Sequence, residues 1–280
     1  MTLFPKDGNK VTVTLIPRDV LATIPGWENA DCTELRGGLT NTAWRVTAGE
    51  KTGVLKIDNG PRSKPFNTRC EEANVQNMAA TAGLAPRVIL ADDGLYFTEY
   101  VVGEVWERSC LDKDGNLELL AATLKRLHAL PLTGRSFDAG IAAKRYIERN
   151  DGLADPVIDT CKAIISSMRL PQNLCCCHND LVAANLITTP DLKLLDWEYA
   201  CDNDPFFDLA TIVEHHELSD SQVTKLLNAY MAGDGQRWRE HLEKQRKLYL
   251  ALLCLWMGSR PGSDPEELQG VATRLSTSYS

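Results

Sequence analysis

Up to about residue 101 the apolar positions fall in short runs broken by turn residues. "TAWRVTA" (42–48) and "TGVLKI" (52–57) read as two strands joined by the tight connection "GEK". The period then changes in "RCEEANVQNMAATAGLAP" (69–86). Ala73, Met78, Ala79 and Ala82 fit a helix there, with Gly83 as its stop and Pro86 beyond. Two more short runs, "RVILA" and "LYFTEYV", are separated by the turn "DDG".

After Gly103 helical spacing takes over. Leu117, Leu120, Leu124 and Leu127 recur at helical intervals in "NLELLAATLKRLHAL", and "DPVIDTCKAIISSM" is a second amphipathic stretch. "CCCHNDLVAANL" (175–186) lies between helices, flanked by short apolar runs, and from Asp204 onward the pattern is almost all helical. With no internal repeat and no long linker, this outline predicts an α+β protein. A strand-rich lobe over 1–101 precedes a larger, helix-rich lobe over 102–280.

Bulk properties narrow the class. A chain of 280 residues accommodates one large domain or two lobes sharing an interface. The net charge of −8 argues against a nucleic-acid partner, which would call for a basic stripe, and is compatible with a cationic substrate. The N-terminal stretch lacks the uninterrupted apolar core of a signal peptide. The apolar run "LYLALLCLWM" (248–257) follows the charged "EKQRK" and is too short to span a bilayer, so it reads as a buried helix and no membrane association is expected. Nine irregularly spaced cysteines without a secretory signal point to reduced thiols in the cytoplasm.

The run of three cysteines, a histidine and an aspartate admits three chemistries. Zinc ligands come in pairs separated by a few residues, whereas Cys175, Cys176 and Cys177 are consecutive and alternate faces on a strand. They read as small apolar residues filling a buried strand. No context for a nucleophilic thiol surrounds them. What remains is His178-x-Asp180-x-x-x-x-Asn185 followed by an apolar strand and Asp196, the spacing of a phosphotransferase loop. One carboxylate, Asp180, meets the attacking hydroxyl. An amide oxygen and a second carboxylate, Asn185 and Asp196, hold the Mg²⁺ that neutralises phosphate oxygens.

The strand-rich lobe offers the matching nucleotide clamp. "ELRGGLTNTAWRV" carries a two-glycine turn whose backbone N–H groups can face phosphates, with Gly38, Thr40 and Asn41 as candidates. Lys56 lies on the strand "VLKI", and Glu71 or Glu72 on the following helix can form the ion pair that orients it. Each feature alone has an ordinary reading as a hairpin turn, a surface lysine or a solvated helix face. Their joint order upstream of the loop points to a kinase-type phosphotransferase.

"GGLTNTAWRV", "CHNDLVAANL" and "LLDWEYACDNDPFFDLA" together resemble the choline/ethanolamine kinase family, within the wider group of aminoglycoside phosphotransferases and thiamine kinase. The resemblance runs from about Leu35 to Met257. It implies a protein-kinase-like fold with ATP between the lobes, Asp180 as catalytic base, Asn185 and Asp196 as Mg²⁺ ligands, and Lys56 on the α/β-phosphates. Glu72, in "R-x-x-E", is its implied partner, and Glu99, Tyr100 and Val101 fall where the hinge holds adenine. The resemblance also implies that His178 braces the loop and that Asp208 ties it down. Tyr199, Glu198 and Trp256 are the candidates for binding a cationic alcohol, while Trp197 reads as core. Trp256 fits a core position of an apolar helix equally well. Ala184 and Cys201 replace expected glycines, and Leu253 replaces the first of two tryptophans common in choline kinases. Choline, ethanolamine, thiamine and an aminoglycoside therefore all stay open as acceptors. Absence of D-F-G and A-P-E, with only eleven residues between Asp196 and Asp208, argues against a protein kinase. A non-catalytic binding module on this fold would require a lost motif residue, and Lys56, Asp180, Asn185 and Asp196 are all present.

Overall fold

In the computed structural model, which describes residues 17–35, 41–60, 62, 66–169, 171 and 173–277, a short helix α1 (Pro17–Leu21) leads into an antiparallel sheet. Its first strands are β1 (Asp31–Leu35), β2 (Asn41–Ala48) and β3 (Lys51–Asp58). The turn bearing Gly38 and Thr40 lies outside the described residues. β2 and β3 pair from Asn41↔Asp58 to Ala48↔Lys51, so the expected hairpin is present and longer than its apolar pattern indicated.

Helix α2 (Arg69–Thr81) starts at a capping box. Thr68 Oγ1 accepts from Glu71 N–H at 3.2 Å, and Glu71 Oε2 accepts from Thr68 N–H at 2.7 Å. Glu71 is thereby spent on the helix end. The face α2 buries carries Arg69, Glu72 and Gln76 beside Ala73, Val75 and Ala79. β4 (Val88–Asp92) and β5 (Leu95–Glu99) complete the sheet in the order β1-β2-β3-β5-β4.

The chain leaves the sheet through 100–103 into β6 (Glu104–Val105). A Cβ on Gly103 would run into the Thr188 carbonyl oxygen, so only glycine lets this connecting segment pass Thr188. Beyond it come α3 (Asn116–His128), α4 (Ala139–Glu148), α5 (Asp155–Ser167) and β7 (Cys175–Cys177). The hairpin β8 (Leu186–Thr189) and β9 (Asp191–Leu194) follows, then β10 (Cys201–Asn203), which pairs antiparallel with β7. Helices α6 (Pro205–His215), α7 (Asp220–Tyr230), α8 (Arg239–Gly258) and α9 (Pro265–Thr277) close the chain.

Two apolar cores result. The smaller joins Val20, Leu21 and Trp27 to the sheet residues Val46, Leu55, Leu95 and Phe97. The larger gathers the helical part, including Leu248, Leu250 and Leu255 of α8, and also takes in Val75, Ala79 and Leu84. Helix α2 therefore presses its charged face toward the sheet while its C-terminal half packs with the helical part. No helix among the described residues is long and apolar enough to cross a membrane.

Candidate active site

Strand β7 delivers the loop 178–185 to the cleft, and buried Asp208 at the start of α6 holds the loop by its backbone. Asp208 Oδ2 accepts from His178 N–H at 3.0 Å and Oδ1 from Asn179 N–H at 2.7 Å. The His178 ring is fully buried and kept below its usual pKa by that burial, so it is neutral. Its Nε2 bonds to the Leu195 carbonyl oxygen at 2.9 Å, and the ring meets Trp197 edge-on at 4.9 Å. His178 braces the loop against the segment that carries Asp196, and Trp197 is core with 0% exposure, both as expected.

Two non-glycine residues with left-handed backbone frame the site: Asn179 (φ 65°) and Asp196 (φ 62°). Such conformations cost roughly 1–3 kcal/mol and persist only where surroundings enforce them. Asn179 is enforced by its side chain, which donates to the Tyr199 carbonyl oxygen at 3.0 Å and accepts from Asn203 Nδ2 at 2.8 Å.

Asp180, Asn185, Asp196 and Lys56 come together. Asn185 Nδ2 donates to the Asp180 carbonyl oxygen (2.9 Å) and to Asp180 Oδ2 (3.0 Å), which leaves the amide oxygen as the atom free to meet a cation. Burial, helped by the neighbouring Asp196 and Glu198 charges, pushes Asp180 up to about 7. Glu198 is likewise pushed up to about 7 by burial and by Asp196. Three crowded carboxylates of this kind call for a cation. In this structure part of that charge comes from Lys56, whose Nζ lies 2.8 Å from Asp196 Oδ1. Burial works against the Lys56 ammonium, yet Asp196, Glu72 and Glu198 together raise its pKa; the same pairing lowers that of Asp196 against its own burial.

Glu72 departs from the expected geometry. Its Oε2 is bonded to Arg69 Nη1 at 2.8 Å, and Lys56 pairs with Asp196 instead. Arg69 is shared with Asp58, and Arg62 joins Asp58 (3.3 Å), Glu198 (2.8 Å) and the Asn67 carbonyl oxygen (2.7 Å). Glu198, expected on the substrate, is thus engaged by Arg62. Asp58, Arg62 and Arg69 were not among the candidate site residues read from the sequence. Only the "R-x-x-E" spacing pointed at one of them.

On the acceptor side the structure joins Tyr199 to two rings the sequence did not single out. The Tyr199 and Tyr146 (α4) hydroxyls lie close enough to perturb each other, and both feel the Asp180 charge, as does Tyr249 of α8. Phe66 lies 4.8 Å from Tyr199, ring to ring. Trp256 is half-buried against the larger core, with the Arg260 guanidinium 4.3 Å over its ring, so one face of that ring already carries a cation. At the other end of the cleft the Glu99 side chain turns to Arg87, accepting from Nε at 2.8 Å. Glu99 ends β5 and Val101 lies in the segment that leads to the helical part, while Asn41 begins β2.

Comparison with known proteins places the chain in a family. Residues 31–243 match the phosphotransferase enzyme family. Protein LicA of Haemophilus influenzae is 30% identical over 212 residues, 69% of this chain but only 61% of that protein, so the match leaves over a third of that relative unaccounted for. A thiamine kinase of Salmonella paratyphi B is 31% identical over 199 residues, 67% of this chain and 68% of that one. A choline/ethanolamine kinase family protein from Mesorhizobium loti shares the fold, with a TM-score of 0.73 at 24% identity, covering 93% of this chain and 92% of that one. The chain belongs to the phosphotransferase enzyme family.

Proposed function

We propose that this protein is an ATP-dependent kinase that phosphorylates the hydroxyl of a small cationic alcohol, with choline and ethanolamine as the first candidates. The observation that carries this reading is the convergence of Asp180, Asn185, Asp196 and Lys56, with Tyr146, Tyr199 and Glu198 beside them. The sheet part (17–101 of the described residues) and the helical part would clamp the nucleotide between them. Lys56 would serve the phosphates and the backbone of Glu99–Val101 the adenine.

The donor set suits Mg²⁺: a carboxylate from Asp196 and the outward amide oxygen of Asn185 are hard ligands, among carboxylates that repel one another. The bound ion would supply charge neutralisation on the phosphate oxygens. The remaining work falls to the chain. Asp180 orients the acceptor hydroxyl and takes its proton as the oxygen bonds to the γ-phosphorus. The bond from that phosphorus to the bridging β–γ oxygen breaks, and ADP leaves. A carboxylate pushed up to about 7 is well matched to a proton transfer near neutrality.

The aromatic and acidic residues beside the base support this acceptor class. Aromatic faces and carboxylates hold a positive nitrogen through cation–π and charge attraction. Choline, ethanolamine and thiamine, the compounds named by the relatives, are all alcohols bearing such a nitrogen. A panel of choline, ethanolamine, thiamine, kanamycin and a neutral alcohol of choline's size, incubated with Mg-ATP and read by ADP release, tests the reading. A cationic alcohol is expected to give the highest kcat/KM. A neutral alcohol that matches it, with phosphoryl transfer intact, would remove the cation assignment and leave the kinase.

A further inference from the structure

The fold brings together three ligating side chains that phosphoryl transfer does not use. We propose that His128, Cys175 and Cys177 form a binding site for a thiophilic d¹⁰ cation, with Zn²⁺ as the probe, separate from the phosphate-transfer centre. One ligand atom from each of the three lies within 4.8 Å of the others, among the described residues.

The geometry is close to what such an ion requires. Alternation along β7 puts Cys175 and Cys177 on one face and Cys176 on the other. Their sulfurs are 3.5 Å apart, whereas two thiolates at about 2.3 Å from a tetrahedral ion stand about 3.8 Å apart. A shift of a few tenths of an ångström therefore suffices. Consecutive cysteines cannot share a tetrahedron, but the first and third of a strand can.

The third ligand arrives from another element. His128 ends α3, and its Nε2 lies 3.0 Å from Asp208 Oδ2. A carboxylate oxygen can only accept, so in the neutral ring Nε2 carries the proton and Nδ1 keeps its lone pair. That nitrogen now accepts from the Tyr230 hydroxyl at 2.8 Å. A carboxylate behind an imidazole whose other nitrogen is open is the usual outer support of a metal-bound histidine. The Tyr230 hydroxyl or a water can fill the fourth position.

Charge and access are also consistent. The thiols make weak contacts to carbonyl oxygens, with Cys177 Sγ 3.6 Å from both Asn203 and Asp204 oxygens. Binding would expel two thiol protons, and two thiolates with a dication make a neutral unit suited to burial. Cys177 is buried while Cys175 is half-buried, so the ion enters past Cys175. Softness sorts the two metals: sulfur and imidazole take Zn²⁺, and the oxygens of Asn185 and Asp196 suit Mg²⁺. Occupancy would clamp the end of α3 to the strand that feeds the catalytic loop, with Asp208 bonded to both.

The test uses the full chain, stripped with a chelator and titrated with Co²⁺ in excess Mg²⁺. One equivalent is expected to give thiolate-to-cobalt charge-transfer absorption and the intense visible bands of a tetrahedral ion, both displaced by Zn²⁺. Cys175→Ser, Cys177→Ser and His128→Gln should each weaken Zn²⁺ binding beyond the roughly 10–100-fold typical of losing an outer-shell partner. Replacement of the exposed Cys70 by Ser should change nothing. A wild-type spectrum without thiolate charge transfer overturns the proposal, as does a Cys175→Ser protein that keeps it. The wild-type spectrum decides even if a variant does not fold.

Discussion

Lys56 is paired with Asp196 at 2.8 Å, while Glu72 is held by Arg69 at the same distance. The lysine proposed for the phosphates thus neutralises the carboxylate proposed for the metal. A metal-bound nucleotide would take over both roles, drawing Lys56 onto phosphate oxygens. Lys56→Met should therefore raise the KM for ATP and lower kcat/KM by about 100-fold or more, since preorganised charge on the phosphates supplies much of the transition-state stabilisation. Steady-state kinetics in ATP checks this; near-normal kcat/KM would take Lys56 out of the clamp.

Arg69 is expected to matter for stability more than any other residue of the cleft. Its side chain is 1% exposed and faces Asp58 and Glu72, which are 3% and 0% exposed. Removing one partner from a buried ion cluster costs roughly 3–5 kcal/mol because the others keep uncompensated charge. Arg69→Leu should lose that much in urea denaturation, and Arg69→Lys visibly less. Equal small losses for both would mean that the cluster contributes little.

Asp180 links function to pH-dependent stability. Its folded pKa, about 7, stands above the ordinary value of 3.8, so the folded form keeps a proton that the unfolded chain releases. The stability this contributes is present below the ordinary value and is lost as pH rises through about 7. Asp180→Asn removes the penalty. The nucleotide- and metal-free variant should melt higher than wild type near pH 8, by roughly 2–4 °C for each kcal/mol and up to ~4 kcal/mol for a pKa raised from 3.8 to about 7. The difference should vanish near pH ~4. A variant melting below wild type at pH 8 would contradict the raised pKa.

The acceptor wall makes a comparative prediction. Each aromatic face is worth roughly 0.5–2 kcal/mol to a cation, so Tyr199→Ala should lower kcat/KM for the best cationic alcohol by about 2–30-fold and spare a neutral one. Trp256→Ala should do less, because Arg260 already covers one face of that ring. The reverse order would move the cation site to the end of α8.

The sequence exposed whatever depends on nearby positions and hid what depends on distant ones. Alternation in 42–57 and leucines at helical spacing in α3 forecast their elements because each buries one regular face. Asp180, Asn185 and Asp196 were legible because one loop and one hairpin carry all three. Helix α2 was legible as a helix, but its buried face is partly charged, so hydrophobic periodicity could not disclose that Arg69 and Glu72 point inward. The Arg62–Glu198 contact spans 136 positions, and Tyr146 reaches Tyr199 only through the packing of α4. His128 and Cys175 illustrate the same limit. The cysteine spacing argued against a metal within the run itself, and the third ligand comes from another element.

The most direct test of the account is product formation from Mg-ATP and the preferred cationic alcohol by wild type and Asp180→Asn, with nucleotide affinity measured in parallel. Wild type should yield one phosphorylated alcohol per ADP. The variant should bind nucleotide about as well but turn over roughly 10²–10⁴-fold more slowly, the range for losing a positioned base. An Asp180→Asn enzyme that makes phosphorylated alcohol at near the wild-type rate, or a wild type that makes none from any acceptor of the panel, would contradict it.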